Sequence, residues 1–386
     1  MFPAILSSRP VALPRASRAA ARPTRVAVLG GGVAACAVAH ALAIDGWRVE
    51  LFERAANRPA EGHGFVLLDR GVRALAQLGL GAALRTRGQP LARFEVRSPA
   101  GALRLSAAVD GAMGLRRREL LGALEPLPDP GALHVGRSFV EFEWHADGIA
   151  RAARFADGSR VEADVFVAAD GAGSVARRAL FPWAALAPAR VCEVVGQLED
   201  PVLAADLGDR VCKFQRDDVG LAFGLVPAGC GGVIWYLQFD AERLPLPSRA
   251  PAAIAAFVHA CVGDWCDPIP RALARIDFGR AYLASPIDLD PLPTLGRGNI
   301  ALVGDAAHPF LPFSSQGVSA ALDDAWTLAA CLREHATARS WDAAITAYSD
   351  CQRPEIARIV AAGRDLQARF LDPRGAGREF VVPVCA

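Results

Sequence analysis

The sequence predicts an α/β fold with a second, antiparallel layer and helices near its C-terminal end, and three observations carry that expectation. An apolar strand at residues 25–29 runs directly into Gly30-Gly31-Gly32 and an alanine-rich helix to residue 44. From residue 135 the apolar pattern changes towards a period of two, and residues 190–287 hold several further strand-like segments around one helix. Finally, the apolar strand 299–303 breaks at Gly304-Asp305, passes Pro309 and Pro312, and re-enters a helix beyond Gln316-Gly317. A strand that breaks this way can hold a polar group at a helix N-terminus.

A chain of 386 residues can bury one large domain and a smaller one. An apolar fraction of 52% with 22% charged residues suits a folded enzyme and excludes a disordered binding segment. A net charge of +1 gives no footprint for nucleic acid. Lys213 is the only lysine, so lysine chemistry has a single candidate. The nine cysteines contain no C-x-x-C pair, and the pattern reads as reduced thiols in a cytoplasmic protein. No apolar run reaches the length of a membrane span. Residues 1–24 are rich in arginine and proline and are expected to be a flexible or targeting segment.

Taken in order, residues 25–52 read as a βαβ unit. Gly30 allows the tight turn, Gly32 lets the backbone approach a pyrophosphate, and Ala35 supplies the small residue needed for close helix–strand packing. Glu53 follows Gly30 by 23 residues, where an acid can hydrogen-bond an adenosine ribose. A helix is expected at 71–78 and another at 115–124, with Arg116, Arg117 and Arg118 in its first turns. His63 reads as a loop histidine without a visible partner. Strands at 140–145, 149–155 and 159–163 are separated by Asp147-Gly148 and Asp157-Gly158, dipeptides suited to positive φ. A buried strand at 164–169 ends in Asp170-Gly171. Further strands are expected at 191–198, 211–215, 219–226 and 233–239, with a helix at 251–262. Alternation places Trp235, Leu237 and Phe239 on one face and Tyr236 and Gln238 on the other. One or two helices, with Pro354 in a first turn, close the chain at 341–370.

Three separated motifs now agree. They are Gly30-x-Gly32-x-x-Ala35 with Glu53-Arg54, then Asp170-Gly171-x-x-Ser174-x-x-Arg177, then Gly304-Asp305-Ala306-Ala307-His308 with Pro312 and Gln316-Gly317. With Arg118-Glu119-Leu120-Leu121 they resemble the single-component FAD-dependent aromatic hydroxylases over about residues 25–370. The resemblance implies a Rossmann-like FAD-binding domain with an interleaved antiparallel β/α substrate domain and C-terminal helices. The expected division is 25–189 and 288–386 for the two parts of the FAD-binding domain, with 190–287 as substrate domain.

The same resemblance implies roles. Gly30, Gly32 and Ala35 would lie against the FAD pyrophosphate, Glu53 on its ribose, and Arg54 and Arg118 on the adenosine and pyrophosphate side. Asp170, Gly304 and Asp305 would shape the cofactor crevice, with Asp305 on the ribityl chain or pyrophosphate. Pro312 would sit beside the flavin ring, and the backbone of Gln316, Gly317, Val318 and Ser319 would face its pyrimidine end. NADPH or NADH would supply electrons, and a flavin C4a-hydroperoxide would hydroxylate or epoxidise an aromatic or unsaturated apolar small molecule. The protein is expected as a monomer or homodimer, without nucleic-acid or membrane partners. No side chain is singled out as a general base; His308 reads as a brace. Two departures stand out: Ser315 replaces the usual glycine before Gln316, and Ser319 replaces an asparagine common in the family. Lys213 lies in the second layer, which argues against a halogenase. A flavoprotein dehydrogenase or reductase, or a non-catalytic FAD-binding maturation factor, are the rivals.

Overall fold

The computed structural model describes residues 24–57, 63–125 and 129–372. Apart from Thr24, the N-terminal segment read as flexible or targeting lies outside these residues.

Val26, Ala27, Val28 and Leu29 are all apolar and all buried, as a strand covered on both faces requires. This strand, Arg25–Leu29, lies inside a six-stranded sheet, flanked by Val165–Ala168 on one side and Arg48–Glu53 on the other. Ile300–Leu302 and Leu133–Val135 extend the sheet in parallel, and Gly296–Arg297 adds an antiparallel edge. The helices Val33–Ile44 and Gly317–His335 pack against each other. A three-stranded meander, Phe139–Trp144, Ala150–Phe155 and Arg160–Glu162, meets the sheet through Phe142 on Phe166 and Phe155 on Phe52, at ring separations of 5.5 Å and 4.8 Å. Its turns use Gly148 and Gly158, both at φ 81°.

The second sheet has eight strands in the order Tyr282–Ala284, Val191–Glu199, Gly232–Asp240, Leu221–Pro227, Arg210–Gln215, Gln89–Arg97, Leu103–Arg116 and Gly64–Leu67. All pairings are antiparallel except that between Arg210–Gln215 and Gln89–Arg97. Trp235, Leu237 and Phe239 face a core with Ile254, Val258 and Val262 of the helix Pro251–Val262. The opposite face, carrying Tyr236 and Gln238, turns towards the first sheet's loops.

Two expectations are corrected. Strand pairing with Gly64–Leu67 carries the chain extended through Leu115 and Arg116, so the helix begins at Arg117 and runs to Leu124. The C-terminal region is one helix, Trp341–Leu371, with Pro354 inside it and not in a first turn. Pro354 lies on the exposed side, where water can satisfy the carbonyl its missing N–H leaves free.

Asn299 ties the meander to the parallel sheet. Its Oδ1 accepts from Ala150 N at 2.9 Å, while Nδ2 donates to Ala150 O at 2.8 Å and Asp164 O at 3.2 Å. The side chain is buried, so truncation strands these backbone groups. Asn299→Ala is expected to lower the unfolding free energy by about 2–4 kcal/mol, measured by denaturant titration.

Candidate functional site

The strand Arg25–Leu29 ends at Gly30, whose φ of 124° is closed to other residues and whose absent Cβ would strike Ala169 O at 2.3 Å. The glycine therefore lets two strand ends approach each other. Gly32 serves differently: a Cβ there would meet nothing within 4 Å. It opens the helix Val33–Ile44, whose N-terminus has no side-chain cap. Beyond it lies a cavity of about 390 Å³ bounded by Gly30, Gly32, Glu53, Arg54, Arg117 and Asp170. Glu53 Oε1 accepts from Ala55 N at 2.8 Å, which fixes the carboxylate at the strand tip. Uncapped helix N–H groups beside an open cradle suit a pyrophosphate.

Two turns are clamped together at the sheet's end. Asp170 Oδ2 accepts from Val175 N at 2.7 Å and Ala176 N at 3.3 Å, and Ser174 Oγ accepts from Arg177 N at 2.9 Å. Asp170 Oδ1 is buried with no partner. Arg177 is almost fully buried and donates to the carbonyls of Ala172, Asp305 at 3.2 Å and Ala306 at 2.9 Å. Gly304, at φ 56°, leaves a gap that a Cβ would close against Ala34 at 2.9 Å. Its N–H donates to Asp324 Oδ2 at 2.8 Å, and the same oxygen lies 2.7 Å from His308 Nε2. Burial alone would lower the His308 pKa; the Asp324 charge and hydrogen bond outweigh it and hold the imidazole above its ordinary value. His308 borders neither cavity, and it braces the turn.

Asp305 opens onto a second, larger cavity of about 470 Å³. Its surface stays open to the cavity, yet the protein crowded around the carboxyl raises its pKa, although the charges of His308, Arg117 and Arg177 oppose the shift. One wall is the turn Pro312, Ser315, Gln316, Gly317 and Val318, leading into the uncapped N-terminus of Gly317–His335. Ser315 sits at φ 54°, ψ 23°, a left-handed conformation that costs a non-glycine residue roughly 1–2 kcal/mol. The other wall is the second sheet, with Phe94, Val195, Val211, Val226 and Ile234. Gly32, Arg117, Ala169 and Gly171 border both cavities, so the two adjoin.

The sheet wall also carries Lys213, Glu193 and Gln238, which composition and alternation did not bring together. Burial lowers the Lys213 pKa to about 8, with Glu193 opposing. Burial likewise raises Glu193, opposed by its hydrogen bond from Gln238 and by Lys213. His63 borders the cavity too; burial and the Arg117 charge lower its pKa to about 4, so it is neutral near pH 7.

Most residues singled out from the sequence converge here, but Ala35, Arg118, Ser319 and the turn residue Gly304 border neither cavity. Ala35 is buried inside its helix and acts through packing. Ser319 Oγ accepts from Leu68 N at 3.0 Å and joins two helical segments. Arg118 lies beside Glu119 and Glu199, its side chain 47% exposed, whereas Arg117 faces both cavities. Arg117-x-x-Leu120 and Arg118-x-x-Leu121 share the same spacing, one residue apart, and it is the first arginine that borders the cavities. Among the described residues, no helix is long and apolar enough to cross a membrane, and no cluster of potential ligands could hold a metal ion.

A bent, two-part chamber between a parallel sheet's glycine-rich ends and an antiparallel lid defines a dinucleotide-binding flavoprotein. The sequence model of the FAD binding domain family matches residues 23–196 and 292–362, and the chain belongs to that family. It is 29% identical over 374 residues to the 3-amino-4-hydroxybenzoate 2-monooxygenase of Streptomyces cremeus, covering 92% of this chain and 89% of the relative. It is 29% identical over 325 residues to the FAD-dependent urate hydroxylase of Klebsiella pneumoniae, covering 80% and 81%. The fold matches the crystal structure of Klebsiella pneumoniae HpxO complexed with FAD and uric acid at a TM-score of 0.79, with 24% identity over 92% of this chain and 90% of that one.

Two outcomes test the site. Gly32→Val places a branched side chain in the open cradle; purified protein should lose bound flavin, read by absorbance, while unfolding free energy of the apoprotein changes by only about 0.5 kcal/mol. Lys213 is charged in both folded and unfolded chains below pH 8, so its lowered pKa is a standing penalty of up to about 3 kcal/mol. That penalty shrinks as pH rises from about 8 towards the ordinary 10.5. Lys213→Met should therefore stabilise the apoprotein at pH 7, by denaturant titration, with a gain that falls at higher pH.

Proposed function

We propose that the protein is an FAD-dependent monooxygenase that hydroxylates an aromatic small molecule, with NADH or NADPH as electron donor and dioxygen as oxygen donor. The observation that carries this reading is the junction of the two cavities, one lined for a nucleotide and the other enclosed by an amphipathic sheet wall. When bound, FAD accepts two electrons from a reduced nicotinamide and activates dioxygen for transfer of one oxygen atom.

The chain's own residues bind, orient and exclude water. Gly30 and Gly32 would let backbone meet the pyrophosphate, Glu53 would accept from the ribose, and Arg54 and Arg117 would offset phosphate charge. Asp305 would meet the ribityl or pyrophosphate side. Pro312 would border the ring, and the free N–H groups at Gln316–Val318 would favour negative charge at its pyrimidine end. Phe94, Val195, Val211, Val226 and Ile234 would keep bulk water from the substrate side. His308 is tied to Asp324 and is left with no part in proton transfer.

The test is turnover under isotopically labelled dioxygen with a panel of aromatic substrates. One labelled oxygen per product, with matching NAD(P)H oxidation, is expected. Substrate-dependent flavin reduction without incorporation would instead identify a dehydrogenase or reductase, and flavin binding without any NAD(P)H oxidation an accessory protein.

A further inference from the structure

The sheet wall of the larger cavity holds two polar groups that the protein leaves unmatched, and they are of opposite kind. Lys213 Nζ can only donate. Among the described residues it makes no hydrogen bond or ion pair; its ammonium lies 5.8 Å from the ring centroid of Phe313 and 5.1 Å from that of Phe370. These ring faces hold the cation in place without supplying an acceptor. Gln238 Oε1 can only accept, and it is buried with no partner, because the amide nitrogen donates to Glu193 Oε1 at 2.6 Å. Gln238 is only 4% exposed.

Strand register places the two on one face. Lys213 pairs with Gly224, which pairs with Tyr236, and Gln238 stands two residues further along the same strand. A Cβ on Gly224 would fall 2.0 Å from Tyr236 Cζ, so the tyrosine ring occupies the space over Gly224, between its own strand and that of Lys213. Burial and the Glu193 charge keep the Tyr236 phenol protonated. The Tyr236 ring thus lies in the wall next to Lys213, with Gln238 two residues along its own strand and Val195, Val211 and Val226 lining the same wall. Such a wall suits an aromatic guest. Glu193, whose charge acts on Lys213, accepts from Gln238 and, among the described residues, makes no ion pair with the lysine.

We propose that Lys213 and Gln238 select the substrate as an aromatic carboxylate, its anionic oxygens meeting the Lys213 ammonium and an N–H or O–H on its ring donating to Gln238 Oε1. The assignment rests on the larger cavity being the substrate chamber of the proposed monooxygenase. It revises the expectation of a mainly apolar substrate with few charges: a buried cation kept at a stability penalty asks for a counter-charge. A carboxylate arrives ionised at neutral pH, whereas a simple phenol would first have to lose its proton.

The experiment is ligand binding to the FAD-loaded protein at pH 7, followed by the change in flavin absorbance, which needs no turnover. The probes are 3-amino-4-hydroxybenzoate, its methyl ester, benzoate and phenol. The wild-type protein should bind the amino-hydroxy acid at least about tenfold more tightly than its ester, with benzoate between them and phenol weaker than benzoate. Lys213→Met should remove the preference for acid over ester while retaining flavin. Gln238→Leu should reduce affinity for the amino-hydroxy acid to that of benzoate. Equal binding of acid and ester by the wild-type protein, an unchanged acid preference in Lys213→Met, or no spectral response to any acid would overturn the proposal. Oxygen incorporation without the acid preference would overturn this assignment alone; the acid preference without oxygen incorporation would overturn only the monooxygenase reading.

Discussion

A single buried guanidinium holds the functional end of the molecule together. Arg177 comes from the short helix after Asp170-Gly171, yet its donors end on the carbonyls of Asp305 and Ala306 in the turn that follows the strand Ile300–Leu302. Burying that charge is unfavourable in itself, and its pKa is pulled down by burial, with Asp170 and Asp305 opposing. The arrangement persists because carbonyl groups at turns need donors that the sheet no longer provides. Without it, two loops more than a hundred residues apart in sequence would lose their mutual placement, and the cavity edge shared by Asp170 and Gly171 would open. Asp324 performs the corresponding service from the helix side, accepting from Gly304 and His308.

The two sheets then divide the labour. The parallel sheet presents backbone: Gly30, Gly32 and Gly304 matter for what they lack, and the helix starts after them offer N–H groups. The antiparallel sheet presents side chains, and its period of two separates them cleanly. Trp235, Leu237 and Phe239 serve the core, while Tyr236 and Gln238 serve the chamber. On the proposed function, cofactor binding would therefore rest on features that tolerate little substitution, and the guest's chemistry would be set by a few side chains on one strand face. Ser315 adds a left-handed kink at the border between the two, where glycine would be unstrained.

The α/β class and the glycine, Asp-Gly and Gly-Asp turns were legible because each depends on local spacing. Strands Gln89–Arg97 and Leu103–Arg116 were not. Their outward residues include Pro90, Arg93 and Asp110, the pairing carries a register shift between Leu91 and Arg93, and Gly111 stands at φ 67°. No clean alternation survives that combination. The likeness of Arg118-Glu119-Leu120-Leu121 to the family's helix motif points to Arg118, whereas Arg117, one residue earlier, is the arginine that borders the cavities. The grouping of Glu193, Lys213 and Gln238 was beyond reach for another reason: only the cross-strand register, Glu193 opposite Gln238 and Lys213 on the neighbouring rung, brings them to one wall.

Lys213 is the sole lysine among 386 residues, and it lies at the cavity wall, with an ammonium that burial has made easier to deprotonate. Amine-directed reagents small enough to enter the chamber thus meet one side-chain target in the whole protein, and a bound guest shields it. Acylation or reductive alkylation becomes a site-specific label whose extent reports occupancy, with the chain's α-amino group as an internal reference. The arginine-rich surface is inert to such reagents and keeps its guanidinium charges.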